Sequence, residues 1–145
     1  MTSLLRSLFT TRFSPNPTEQ QRRLREAFRE IVPQTQLVLW HRGDPIPPGV
    51  FLLVGAMISW NGYDQQLVAA LDEAVADGRT DGDLVAVFPA DGLTSPAEVV
   101  AVFPGLHNAA QSPYVGLWED GRLRLADAGA SAMSFLSDRF GLILP

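Results

Sequence analysis

The sequence SPYVGLWEDGRLRL, which spans Ser112 to Leu125, consists of two short β-prone runs on either side of an Asp-Gly pair. Asp120 and Gly121 predict a tight hairpin turn, because glycine accepts the positive φ that such a turn needs. In the second run arginine alternates with leucine, which is typical of a strand with one solvated and one buried face. The stretch therefore predicts a β-hairpin, which Pro113 opens.

The segments on both sides of the hairpin indicate an α/β protein. The continuous apolar run from Val50 to Ile58 predicts a strand that is buried on both faces of a mixed sheet. Upstream, the sequence predicts a helix from Thr18 to about Ile31, a strand over 36–40 and a rigid proline-rich loop over 41–49. Downstream, it predicts a helix over 62–77, a buried strand over 84–88, a short helix capped by Ser95 and a closing helix over 130–140.

These segments resemble the thioredoxin family. Ser112-Pro113 is similar to the cis-proline step of that family, Asp120-Gly121 to its hairpin turn and Gly129 to the glycine before its last helix. Residues 51–54, followed by WNGYD at 60–64, resemble the apolar strand and the Trp-Cys-Gly-Pro-Cys site. The resemblance covers about residues 50–141. It implies a thioredoxin-like fold with a central mixed β-sheet flanked by helices, here with an N-terminal helical extension.

The residues that would carry thioredoxin chemistry are missing. The chain has no cysteine, and Asn61 and Asp64 stand where the two cysteines of the family would be. Disulfide exchange needs a thiolate nucleophile and a resolving thiol. Tyr63 replaces the proline between them, Gly55 stands where the family keeps a buried aspartate, and Val87 falls near the partner lysine. The resemblance thus implies a redox-inactive member, and we expect neither enzymatic activity nor a cofactor.

Charge is distributed unevenly along the chain. Residues 1–30 contain six arginines and three glutamates, whereas residues 31–145 contain five arginines and thirteen acidic residues. An acidic core is repelled by a phosphate backbone, so we expect no nucleic-acid partner. All basic residues are arginine, which favours a bacterial source with GC-rich codons. We divide the chain into an amphipathic arm at 1–17, a helix, strand and proline-rich loop at 18–49, and a thioredoxin-like core at 50–145.

The N-terminal arm and the helix after it offer a candidate docking surface. Apolar residues of the arm fall at helical spacing with arginines beside them, and the predicted helix has a basic face. Three interpretations of the arm are open, because it could fold back on its own domain, dock on a partner protein, or lie on an anionic membrane surface. The basic face is either solvated or a docking face for an acidic partner. The candidate residues are Leu4, Leu5, Arg6, Leu8, Phe9, Arg12, Phe13, Arg22, Arg25 and Arg29.

A second candidate surface follows from the resemblance alone. In the thioredoxin family the region beside the cis-proline binds extended peptides, and loss of the cysteines need not remove that groove. Trp60 and Tyr63 would be suitable anchors, since large aromatic side chains bury much area at low entropic cost. The alternative is a relict site, kept because Trp60 and Pro113 pack. The candidate residues are Trp60, Asn61, Gly62, Tyr63, Ser112, Pro113 and Tyr114.

Catalytic and metal-binding constellations are not evident in the sequence. Asp64 with Asp91 could form an acid/base or metal pair, but a carboxylate in the first turn of a helix is favoured by the helix dipole without any such role. The two histidines, at 41 and 107, lie far apart in predicted loops, and we expect no metal site.

The functional hypothesis that follows is a non-catalytic thioredoxin-fold protein. It would act as a structural or accessory subunit that binds a partner protein or a larger complex. The alternative is an assembly or folding chaperone that binds extended peptides beside Pro113. A third hypothesis, and the weakest, is an enzyme that uses a bound small thiol such as glutathione. No apolar run of about 18 residues is present, so we expect a cytoplasmic protein, with contact to a membrane complex through the arm as an alternative.

Overall fold

The computed structural model describes residues 26, 28–31, 37–40, 42–58, 61–93, 95–106 and 111–142. Within these ranges the chain forms both helices and strands, as the sequence predicts. They are β1 (Val38–Leu39), β2 (Val50–Ala56), α1 (Gly62–Ala76), β3 (Leu84–Pro89), a 3₁₀ turn (Ala90–Gly92), α2 (Pro96–Val102), β4 (Tyr114–Glu119), β5 (Arg122–Ala128) and α3 (Gly129–Phe140).

The five strands form one mixed sheet with the order β1-β3-β2-β4-β5. Strands β1 and β2 both pair with β3 in parallel, whereas β4 pairs with β2 and β5 in antiparallel fashion. The predicted α/β class and central mixed sheet with flanking helices are therefore confirmed. Strand β2 is the central strand and is buried along almost its whole length, as its continuous apolar sequence predicts.

Alternate residues of the central strands point into two separate cores, as the two-residue period of a strand requires. One core, the α1/α3 face, places Leu52 and Val54 of β2 against apolar residues of α1 and α3. The other core, the α2 face, places Phe51 and Leu53 against Val99, Val102 and Phe103. The helices thus cover both sides of the sheet.

The predicted hairpin is confirmed, and its turn also organises the start of β2. Asp120 and Gly121 both have positive φ, at 50° and 84°. The Gly49 amide donates to Asp120 Oδ1 at 2.9 Å, and the Asp120 amide donates to the Gly49 carbonyl oxygen at 3.0 Å. The turn is therefore tied to the residue that precedes β2, a contact that the local sequence does not reveal.

Helix α3 ends at a left-handed glycine, Gly141, with φ 62°. Arg79 satisfies the end of this helix, since its Nη1 donates to the carbonyl oxygens of Phe140 and Gly141 at 3.3 and 2.7 Å. Leu142 packs against the α1/α3 face. The last three residues lie outside the described ranges.

The N-terminal predictions fall largely on residues that the structure does not describe. The arm at 1–17, and with it Leu4, Leu5, Arg6, Leu8, Phe9, Arg12 and Phe13, lies outside the described ranges, as do Arg22 and Arg25. Residues 28–31 are helical, Phe28 is buried in the α1/α3 face, and Arg29 is exposed. Among the described residues, no helix has the length and apolar character that a membrane span needs.

Candidate functional site

The N-terminus of α1 is built around Asn61, which stands where the thioredoxin resemblance would place a cysteine. Asn61 is the N-cap of the helix, and its Oδ1 accepts hydrogen bonds from the amides of Tyr63 and Asp64 at 3.0 and 3.2 Å. Asparagine is among the best N-cap residues because its short side chain satisfies amides that have no partner within the helix. Asn61 therefore has a structural task at the start of this helix.

Asp64, in the first turn of α1, is almost completely buried, with 1% of its surface exposed. Its Oδ2 accepts a hydrogen bond from the Met57 amide at 2.8 Å, whereas Oδ1 has no hydrogen-bond partner among the described residues. The next amide, of Ile58, donates to Asp91 Oδ1 at 3.0 Å. Two carboxylates thus bind consecutive amides, and β2 ends at Ala56 instead of Ile58 because these amides leave the sheet.

Burial raises the pKa of Asp64 above its ordinary value, because the charged form loses solvation. The hydrogen bond from Met57 and the nearby Ser112 hydroxyl lower this pKa, while the charge of Asp91 raises it further. The Ser112 hydroxyl acts from a geometry that falls short of a well-formed hydrogen bond. Asp64 lies in the first turn of α1, as the sequence predicts, and its burial opposes ionisation there.

The segment before β4 lies against this buried carboxylate. The Ser112–Pro113 peptide bond is cis, as the resemblance implies, and the Pro113 carbonyl oxygen accepts a hydrogen bond from the Gly129 amide at 2.8 Å. Tyr114 follows it and is buried, with its ring centroid 5.8 Å from that of Phe103. Burial, and secondarily the charge of Asp64, raise the pKa of Tyr114. Its ring is therefore part of the core and offers no surface to a partner.

Tyr63 is the outward-facing residue of this site, with 73% of its surface exposed. It follows Gly62, which is also exposed, in the first turn of α1. Trp60, the other proposed anchor, lies outside the described residues. The structure therefore brings together Asn61, Gly62, Tyr63, Ser112 and Pro113 from the predicted set, and it adds Asp64 and Asp91, which the sequence had indicated only as structural carboxylates.

The carboxylates at this site are engaged with the protein backbone. Asp64 and Asp91 each accept a backbone amide, and the described residues contain no group of three or more histidine, cysteine, aspartate or glutamate side chains that could hold a metal ion. Gln65 adds a further link, since its Nε2 donates to the Ile58 carbonyl oxygen at 3.0 Å. Three side chains thus hold the segment after β2 in place.

We expect Asp64→Asn to stabilise the protein at neutral pH by on the order of 1 kcal/mol, because the amide keeps an acceptor for Met57 without a buried charge. Because the pKa of Asp64 is raised in the folded state, protonation of this side chain contributes to the free energy of unfolding. That contribution is complete at pH values below the ordinary aspartate pKa. That stability is lost as the pH rises through the raised value. The advantage of the variant should therefore shrink as the pH falls towards about 4.

Urea denaturation of the wild type and of Asp64→Asn at several pH values measures this effect. Asp138→Asn is the matched control, since Asp138 is exposed on α3 and the same change there should leave stability almost unaltered at every pH. A difference between wild type and Asp64→Asn that does not vary with pH would contradict the prediction.

Comparison with known proteins does not add an assignment to this site. No protein-family model matches the chain, and no curated protein is similar enough to count as a match. The role of the site is therefore argued from its own residues.

Proposed function

We propose that this chain is a redox-inactive, thioredoxin-like protein that serves as a non-catalytic accessory subunit and holds a segment of a partner protein at the N-terminal turn of α1. Three features support the thioredoxin-like assignment. A helix follows the central parallel strand β2 directly, the strand order is β1-β3-β2-β4-β5, and the Ser112-Pro113 turn stands beside the start of that helix.

The observation that carries this proposal is the exposure of Tyr63. Among the described residues, the only large hydrophobic side chains that are exposed are Tyr63, at 73%, and Val100, at 39%. Tyrosine is favoured in protein interfaces because it buries much area and keeps a polar hydroxyl at its tip. Tyr63 also projects from the first turn of α1, where Asp64 accepts a hydrogen bond from the Met57 amide and so ties the turn to the segment after β2. An aromatic anchor on a fixed base is the arrangement expected of a binding surface.

The chemistry of the site favours binding over catalysis. The chain has no cysteine, so it cannot exchange disulfides through its own side chains. The acidic groups nearest to the helix N-terminus are engaged with the amides that follow β2. The arm at 1–17 stays a second proposed docking element, and the cytoplasm is the proposed location.

The proposal is tested by a photo-crosslinking amino acid, p-benzoyl-L-phenylalanine, placed at position 63 in the full chain and activated in the native cell. The matched control carries the same group at Glu73, which is exposed on the same helix. We expect one discrete crosslinked partner from position 63 and none from position 73. A broad range of products from position 63 would favour the chaperone alternative, and no product from either position would overturn the proposal.

Tyr63→Ala should weaken binding of that partner by about 30-fold, the equivalent of about 2 kcal/mol, while leaving the stability of the free protein almost unchanged. The matched control is Val100→Ala, which removes the other exposed hydrophobic side chain from a different helix. Co-purification from cells that express each variant measures the effect. Equal loss of the partner in both variants would contradict the assignment of Tyr63 as the anchor.

A further inference from the structure

A pocket of about 260 Å³ opens on the α2 face and shares no residue with the α1 N-terminus. One wall comes from the loop that joins β1 to β2, and another from the C-terminal part of α2 and the residues that follow it. Two indole side chains, those of Trp40 and Trp118, belong to its lining. The remaining lining is mostly aliphatic, as at Ile46 and Val102, with Arg42 as its basic residue and the buried Asp44 as its acidic residue.

The pocket exists because the connection between β1 and β2 crosses the sheet without a helix or a strand among its described residues, 42–49. Both ends of this loop are fixed. Near its start, the Trp40 indole Nε1 donates to the Pro45 carbonyl oxygen at 3.2 Å, and at its end Gly49 exchanges hydrogen bonds with Asp120. A loop held at both ends is a stable wall, which a preformed binding site requires.

The indole of Trp118, which forms another part of the lining, is also held in place. Trp118 lies on the α2 face with Tyr114, as the two-residue period of β4 requires, and the register of β4 against β5 shifts between Leu117 and Trp118. The ring lies across Gly116, where any larger residue would collide with it, and its centroid is 6.1 Å from that of Phe51. The position of this indole is thus determined by its strand and by its neighbours.

The lining indicates the chemical class of the ligand. Engineered apolar cavities of about 150 Å³ hold a single benzene ring, so a pocket of 260 Å³ has room for about two fused rings. Indole side chains favour planar aromatic partners through offset stacking and edge contacts. Arg42 is exposed and makes no hydrogen bond or ion pair with any residue in the described part of the chain. Its planar guanidinium matches a carboxylate through two parallel hydrogen bonds.

We propose that this pocket binds a small aromatic carboxylate of one or two fused rings, with the ring against the indoles of Trp40 and Trp118 and the carboxylate on Arg42. This site is independent of the partner-binding surface at Tyr63. Residues 31–145 carry a net negative charge, and Asp44 adds a carboxylate to the lining itself, so binding of an anionic ligand depends on Arg42.

Isothermal titration calorimetry of the full chain with three probes of the same ring system tests the charge requirement. The probes are indole-3-acetate, neutral indole and cationic tryptamine. We expect a dissociation constant of about 0.1–1 mM for indole-3-acetate and weaker binding of the other two. Arg42→Gln should reduce the affinity for indole-3-acetate about tenfold, to the level of indole. Equal affinities for all three probes, or no binding of any of them, would overturn the proposal.

A pair of variants on α2 tests the location. Ala101 is exposed and lies in the lining, so Ala101→Phe should fill the pocket without disturbing the core and abolish binding of indole-3-acetate. Ala97 is exposed on the same helix outside the lining, and Ala97→Phe should leave that affinity unchanged. Binding that survives Ala101→Phe would show that the ligand occupies another place and would overturn the assignment.

Discussion

Replacing Gly116 with alanine should lower the free energy of unfolding by about 2–3 kcal/mol, a large cost for one methyl group. A Cβ at this position would lie 2.6 Å from Cη2 of Trp118, still closer to Cζ3, and 3.3 Å from Cδ1 of Phe103. The indole cannot retreat without leaving Phe51, because the rings are packed at a centroid distance of 6.1 Å. Overpacking of a rigid ring is costly, since the interior has no free volume to absorb the displacement.

Urea denaturation measures this loss, and near-ultraviolet circular dichroism reports the displaced indole. Gly62→Ala is the matched control, because a Cβ there would meet nothing within 4 Å and Gly62 begins helix α1. That change should stabilise the protein by up to about 1 kcal/mol, since alanine loses less backbone entropy than glycine. Since Trp118 lines the pocket on the α2 face, Gly116→Ala should also weaken binding of indole-3-acetate. Similar stabilities for the two alanine variants would contradict this account.

The sequence predicts the parts of the fold that local chemistry determines. The Asp120-Gly121 turn could be predicted because only residues that tolerate positive φ fit such a turn. The buried central strand could be predicted because a continuous apolar run over Val50–Ala56 has no other stable environment. Both signals depend on neighbouring residues in the chain, and the structure confirms both.

The sequence does not predict features that depend on contacts between distant residues. The carboxylate of Asp91 reaches the Ile58 amide across 33 positions, and this contact helps to end β2 two residues before the apolar run ends. The burial of Asp64 is also not evident from the sequence, because an acidic residue in the first turn of a helix is usually exposed. The pocket beside Trp118 depends on a loop from a distant part of the chain, so the residue pattern gives no signal for it.

The N-cap role of Asn61 could be predicted from the sequence. The resemblance of this position to a cysteine of the thioredoxin family drew attention away from that prediction. Asparagine immediately before a helical run is a standard start signal, and it indicates a capped helix without any reference to redox chemistry. Gly55 is likewise explained by its contacts within the structure. A Cβ there would lie 3.0 Å from the Phe103 ring and 3.1 Å from Cδ2 of Tyr114, so aromatic side chains fill the space beside this strand. Contacts within this structure therefore account for both Asn61 and Gly55.

Phe103 holds together the packing around Gly55 and Tyr114, and Phe103→Ala should lower the free energy of unfolding by about 3–5 kcal/mol. Its side chain is fully buried and lies over the two strand glycines, Gly55 and Gly116, and beside the ring of Tyr114. Because no neighbouring glycine can extend a side chain into the space that the ring would leave, the cavity should persist. Removal of a buried aromatic ring then costs both the lost transfer free energy and the cavity.

The matched control is Val100→Ala, which shortens an exposed side chain on the helix that ends next to Phe103 and should cost less than about 1 kcal/mol. Urea denaturation of both variants gives the two differences. Phe103→Leu should recover part of the loss, because a leucine side chain fills part of the cavity. A loss of less than about 1 kcal/mol in Phe103→Ala would mean that the glycine-lined space collapses when the ring is removed. The packing of Tyr114 on the α2 face would then not depend on Phe103.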